Sequence, residues 1–226
     1  MRKIILIFLI LNFGFYLKAQ KVELPEFTMS TYPIQFLFNE YSLNFEKLFA
    51  QKQTAGFLLS YRPSTKNSGE FEGGGHGVFG DYSSQNYFNP YYNSFTFGLN
   101  TKRYISKRNN IYLDLLGFYR HWWFENKTIS FDNEEGYRFN GLRTEHQNVY
   151  GIKLLIGNTS IISTNSRIKP FLDIYFGLGV RYKAADFKTF NGTVNDIYYD
   201  YRNDKNYFWL PSAHFGIKFG AGLMKK

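Results

Sequence analysis

Ser212 and His214 stand two residues apart, a spacing that on an extended strand puts a hydroxyl and an imidazole on one face. A carboxylate added to that pair would complete a nucleophile, a base and an orienting acid, and Asp173 or Asp114 could supply it. A Ser and a His at this spacing arise often by chance, so the expectation is that the protein is not an enzyme. His76 sits in Gly73-Gly74-Gly75-His76-Gly77, which lacks the Gly-Lys-Ser/Thr ending and the strand–loop–helix setting of a phosphate loop. Asp132-Asn133-Glu134-Glu135 lacks the alternating oxygen-ligand spacing of a calcium loop and reads as a solvated acidic turn. His121, beside Trp122 and Trp123, reads as part of an aromatic belt, and His146 as a loop end. The chain has no Cys, which removes thiolate chemistry, disulfides and acylated cysteine. No cofactor, metal or catalytic residue is expected.

The elements that carry these residues are strands. From Pro170 to Tyr182 every second residue is apolar or Pro: Pro170, Leu172, Ile174, Phe176, Leu178, Val180 and Tyr182. Period-2 alternation of this length excludes an amphipathic helix. It exceeds an ordinary strand of about five to six residues and matches the roughly 9–11 that cross a bilayer at a tilt. The opposite face mixes Asp173, Arg181, glycines and aromatics, which suits a crowded polar lumen. The same alternation recurs in runs that start at Tyr41, Ala55, Phe95, Ile111, Tyr150 and Ala213.

The connections alternate in length. Ala50–Lys52 and Ser106–Asn109 are tight, and Asn158–Ser166 is intermediate. Ser64–Tyr91, Glu125–Gln147 and Ala184–Tyr207 read as long loops. An up-and-down barrel has short turns at one rim and long loops at the other. The parity requires a strand before Tyr41, and Val22–Thr31 is the only candidate, with a tight turn near Tyr32-Pro33. The fold expected is all-β: an eight-stranded antiparallel up-and-down transmembrane β-barrel.

Met1-Arg2-Lys3, an apolar run over Ile4–Tyr16 and Lys18-Ala19-Gln20 have the form of a secretory signal peptide cleaved after Ala19. That gives a signal at 1–19 and one barrel domain over 20–226. Removal takes away Arg2, Lys3 and Lys18, lowering 27 bases to 24 against 18 acids, a net charge of +6. Aromatics are 21% of the chain, with 25 Phe and 19 Tyr, more than a soluble core needs and what two interfacial girdles would use. Mean hydropathy is −0.36, so no helical span is hidden.

The chain resembles the small eight-stranded outer-membrane barrel proteins of Gram-negative bacteria, of the OmpA-barrel and OmpX type. The residues that carry the resemblance are Glu40-Tyr41-Ser42-Leu43-Asn44-Phe45-Glu46-Lys47-Leu48, the segment from Lys169 to Tyr182, and Pro211-Ser212-Ala213-His214-Phe215-Gly216-Ile217-Lys218-Phe219-Gly220. Such proteins usually end on an aromatic residue, whereas here Phe219 is followed by seven more residues. The resemblance implies export and a place in the outer membrane, in contact with lipid and lipopolysaccharide, as a monomer. Lipid-A-modifying enzymes built on eight-stranded barrels use Ser and His with a carboxylate, which is the family context of Ser212 and His214.

An eight-stranded barrel is only wide enough for side chains to fill. The charges expected inside are Glu46, Arg62, Lys102, Asp114, Arg120, Lys153, Asp173, Arg181 and Lys218, with His214. They are expected to form a structural polar network, because buried charges need partners. The alternative is a narrow conduit or ligand pocket, where the excess of bases favours anions. A structural or surface-interaction role through loops 64–91, 125–147 and 184–207 is the leading expectation for function. A soluble lipocalin-like barrel remains open, and it would put the charges outside. No nucleic-acid motif is present, and a basic barrel argues for anionic lipid instead.

Overall fold

A computed structural model describes residues 24–65, 68–70, 92–105, 110–132, 138–162, 164–192 and 199–225. Nine strands and one short helix follow in order: β1 Phe27–Thr31, α1 Pro33–Phe36, β2 Tyr41–Ala50, β3 Gln53–Arg62, β4 Ser68–Glu70, β5 Asn93–Tyr104, β6 Ile111–Asp132, β7 Arg138–Ile161, β8 Ile168–Gly192 and β9 Tyr199–Leu223. Eight of them pair antiparallel with their neighbours in sequence, and β1 pairs with β9. The result is a closed up-and-down ring without crossovers. The ninth, β4, lies parallel to β6 outside the ring.

The strand pleat sorts the residues as their period-2 pattern requires. Phe57, Leu59 and Tyr61, Phe95, Phe97 and Leu99, and Tyr150, Ile152, Leu154 and Ile156 are exposed on the outer face. Their strand neighbours Ser60, Arg62, Thr96, Asn100 and Lys102 are buried inside. A lipocalin-like barrel has the reverse arrangement, with apolar residues inside and charges outside, and this chain does not adopt it.

Several connections differ from the expectation. Much of Glu125–Gln147 and Ala184–Tyr207, read as loops, is strand: β6, β7, β8 and β9 run on as 22- to 25-residue strands, and 133–137 and 193–198 lie outside the described residues. Ladder hydrogen bonds to a long neighbour hold a strand together even where its composition turns polar. His146 therefore lies within β7, paired with Trp123 and Asp186, and not at a loop end. The first strand begins at Phe27 rather than Val22. In place of a tight turn near Tyr32-Pro33 there is α1, with Pro33 opening it. Asn39 closes this connection at φ 56°, a left-handed conformation that Asn tolerates better than most residues. The tight link at Ala50–Lys52 is present between β2 and β3. Ser106–Asn109, His76 with its glycines, Asn133-Glu134-Glu135 and most of Ser64–Tyr91 lie outside the described residues.

Candidate functional site

Two polar layers divide the lumen. The layer nearer the β2–β3 turn is an ion-pair network. Lys102 Nζ lies 3.0 Å from Glu46 and 3.2 Å from Asp173. Lys218 Nζ lies 3.7 Å from Glu46 and 3.8 Å from Asp114. Asn44 and Thr54 donate to Glu46, Asn100 donates to Asp114, and the Tyr112 hydroxyl donates to Asp173. Lys102 also stands 4.2 Å from the Tyr112 ring centroid. Three acids meet two bases here, all of them buried. Gly157 lets the Tyr112 ring lie against β7, because a Cβ at that position would overlap the ring.

The second layer is nearer α1 and is basic. Arg120 donates to Glu40 at 2.6 Å and to the Thr96 hydroxyl at 2.6 Å, and Ser60 also donates to Glu40. The guanidinium groups of Arg62 and Arg120 lie 5.4 and 5.1 Å from the Trp122 ring centroid. Lys153 Nζ lies 4.5 Å over the Phe118 ring, and Lys183 Nζ 5.7 Å from the Phe208 ring. No carboxylate comes within ion-pair distance of Lys153 among the described residues.

Between the layers and the α1 end is a cavity of about 500 Å³. Arg120, Lys153, Arg181 and Lys183 line it, with Ser212 and His214, and among the described residues its lining holds no Asp or Glu. Its floor is aromatic: Tyr32 and Tyr175 meet edge to face at 6.2 Å, and each ring lies 5.5 Å from Lys218 Nζ. Trp122 and Val149 line it further from the β2–β3 turn and pack with Tyr92 and Phe124. The volume falls within the ordinary range of ligand pockets.

All ten residues of the expected lumen set belong to one of these layers or to the cavity wall. Glu46, Lys102, Asp114, Asp173 and Lys218 form the network, and Arg62, Arg120, Lys153, Arg181 and His214 belong to the basic half. Sequence reasoning missed Glu40, Glu145, Lys183, Tyr112 and Tyr32. Lys183 and Tyr112 share the inward parity of Arg181 and Asp114, so the alternation could have found them. Tyr32 precedes a helix that the alternation does not signal, and Glu145 sits in a segment read as a loop.

The Ser–His pair does form: Ser212 Oγ and His214 Nε2 are 2.8 Å apart. Neither acid joins it. Asp173 is engaged by Tyr112 and Lys102, and Asp114 by Asn100 and Lys218. Arg120, Lys153 and Arg181 line the same cavity as the imidazole. His121 bonds Asn148 at 2.8 Å and stacks on Trp123 and His146, outside the lumen. Replacing His214 by Ala should leave the acylation of cell-envelope lipid unchanged and lower barrel stability by about 1–3 kcal/mol, the cost of a lost buried polar partner. Mass spectrometry of lipid A from wild-type, variant and deletion strains checks the first part. A change shared by the variant and the deletion would reinstate the Ser212–His214 enzyme.

No protein-family model matches the chain, and no curated protein or solved structure is significantly similar to it.

Proposed function

We propose that this protein is an outer-membrane β-barrel that binds an anionic ligand in its lumen. In this reading residues 1–19 direct export and the ring spans the bilayer as a monomer. Three features support insertion: the continuous apolar outer face, the charged interior, and the exposed aromatics Tyr207 and Trp209 at the end of the apolar run of β9. An outward apolar band with a polar interior is the inverse pattern that lipid favours.

The observation that carries ligand binding is the separation of charge along the lumen. The buried network near the turn end carries three acids and two bases. Among the described residues the other half carries Arg62, Arg120, Lys153, Arg181 and Lys183, with Glu40 and Glu145 as its buried acids. Among the described residues these bases outnumber the acids by three, and Lys153 has no carboxylate within ion-pair distance. Burying like charges together costs free energy that an anion would offset. The salt-bridged layer beneath blocks a through-path, which disfavours a channel. A surface role for segments 64–91, 125–147 and 184–207 is compatible with this reading, with the extended strands β6 to β9 forming much of the last two.

The test is unfolding of the purified protein in maltoside micelles with inorganic phosphate against chloride at equal ionic strength. Phosphate at 100 times its Kd should stabilise by about 2.7 kcal/mol. The double variant Lys153→Met, Arg181→Met should lose that increment. Equal stabilisation by chloride would remove the anion site.

Topology has its own check, made simple by the absence of Cys. Gln51→Cys lies in the β2–β3 turn and Lys205→Cys on the extended part of β9, and both native side chains are exposed. A membrane-impermeant maleimide added to intact cells should label position 205 and spare position 51. Labelling at 51 alone would invert the orientation.

A further inference from the structure

The ring closes unevenly. β1 is five residues long, about half of what a bilayer crossing needs, and its pairing with β9 ends at Thr31 opposite Phe219. From Lys218 to Tyr199 the edge of β9 that faces β1 has no strand partner among the described residues. The chain leaves that seam as α1, whose backbone is satisfied by its own short-range hydrogen bonds and which rests against β9. The cavity lies at this seam. Its lining includes the inward residues Ser212 and His214 and also the outward residues Ala213, Phe215 and Ile217, together with Ile34 and Phe38. This stretch of β9 is the one without a strand partner on its β1 side, and residues of the α1 connection line the same cavity, which places the cavity at the open edge. The outer end of this opening is apolar and belongs to the same band as Phe176, Leu178 and Phe219.

Building on the proposed anion site, we infer that the ligand is an amphiphile drawn from the membrane: a phosphate or carboxylate head group with an alkyl chain. The head group sits against Lys153, Arg181 and Arg120. The chain leaves through the seam between α1 and β9 and lies along Ala213, Phe215 and Ile34. Charge complementarity selects the head group, and the apolar exit selects the chain. The floor of Tyr32 and Tyr175 over Lys218 prevents passage toward the turn end.

The experiment is calorimetric titration of the full barrel in maltoside micelles with three probes: dodecyl phosphate, inorganic phosphate and dodecanol. Heats are read against the Lys153→Met, Arg181→Met protein, which carries the same micelle. Dodecyl phosphate should bind at least tenfold more tightly than inorganic phosphate, and dodecanol should show no specific binding. Ala213→Phe fills the seam from the outside, at an exposed position that can accept a larger side chain. It should abolish the tenfold advantage and leave inorganic phosphate binding intact. Ile34→Asp, placed on the exposed helix at the same seam, should do the same. Equal affinities for dodecyl and inorganic phosphate would overturn the lateral route while leaving the anion site standing. Failure of both phosphates to bind would remove the anion site and this inference with it.

Discussion

Lys102→Met should lower the unfolding free energy by about 3–5 kcal/mol, the range for removing one partner of a buried ion pair. Its ammonium is shared by two carboxylates, at 3.0 Å from Glu46 and 3.2 Å from Asp173. The two acids are not equally exposed to the loss. Glu46 keeps Lys218, Asn44 and Thr54. Asp173 keeps the Tyr112 hydroxyl alone among the partners it has here. Asp173 is therefore the group left charged and under-compensated. Adding Asp173→Asn should recover more than half of the lost stability, because an amide needs no counter-charge and still accepts from Tyr112. Urea titration in micelles, followed by gel mobility of unheated samples, measures both. A Lys102→Met protein within about 0.5 kcal/mol of wild type would show that the network is not what fills and fixes the barrel.

Leu154→Arg should cost about 2–4 kcal/mol in phospholipid vesicles, the penalty for a cation near the bilayer midplane on an outward barrel position. Leu154 is 56% exposed and sits within the outward run Tyr150, Ile152, Leu154 and Ile156 of β7. An exposed position of a water-soluble protein would accept the same change within about 0.5 kcal/mol. Tyr207→Arg supplies the comparison. Its side chain is also exposed, at 60%, but at the edge of the apolar band, where the penalty falls to about 0–1 kcal/mol. A large difference between the two positions places the band in lipid. Equal, small effects would mean that the outer face meets water.

The ring and its facing were legible in the sequence because both depend on a local property. Side chains alternate across a strand, so Asp173 and Ile174 are assigned to opposite faces by position alone. The requirement for an even strand count similarly called for a strand before Tyr41, and β1 is there, pairing with β2 and β9. The polar loops were the weak point. Segments such as Lys127–Asp132 and Lys205–Asn206 have polar compositions that read as loop, yet they are held by ladders to equally long neighbours. Pairing of that kind joins distant residues and leaves no short-range signature.

What the sequence determined by itself was the period, the inward set and the excess of bases. Only the tertiary structure decided which charges meet. Asp114, Asp173, Lys153, Lys218 and His214 all face inward, and parity alone would let any acid serve any base, or complete Ser212 and His214. The stagger between neighbouring strands sets the level of each residue along the barrel. It brings Asp173 to Lys102 and Tyr112, takes both acids away from the Ser–His pair, and leaves Lys153 and Arg181 around a cavity. The short β1 and the helix that replaces its upper half were likewise settled in three dimensions, where β9 is left with an open edge because its partner ends at Thr31.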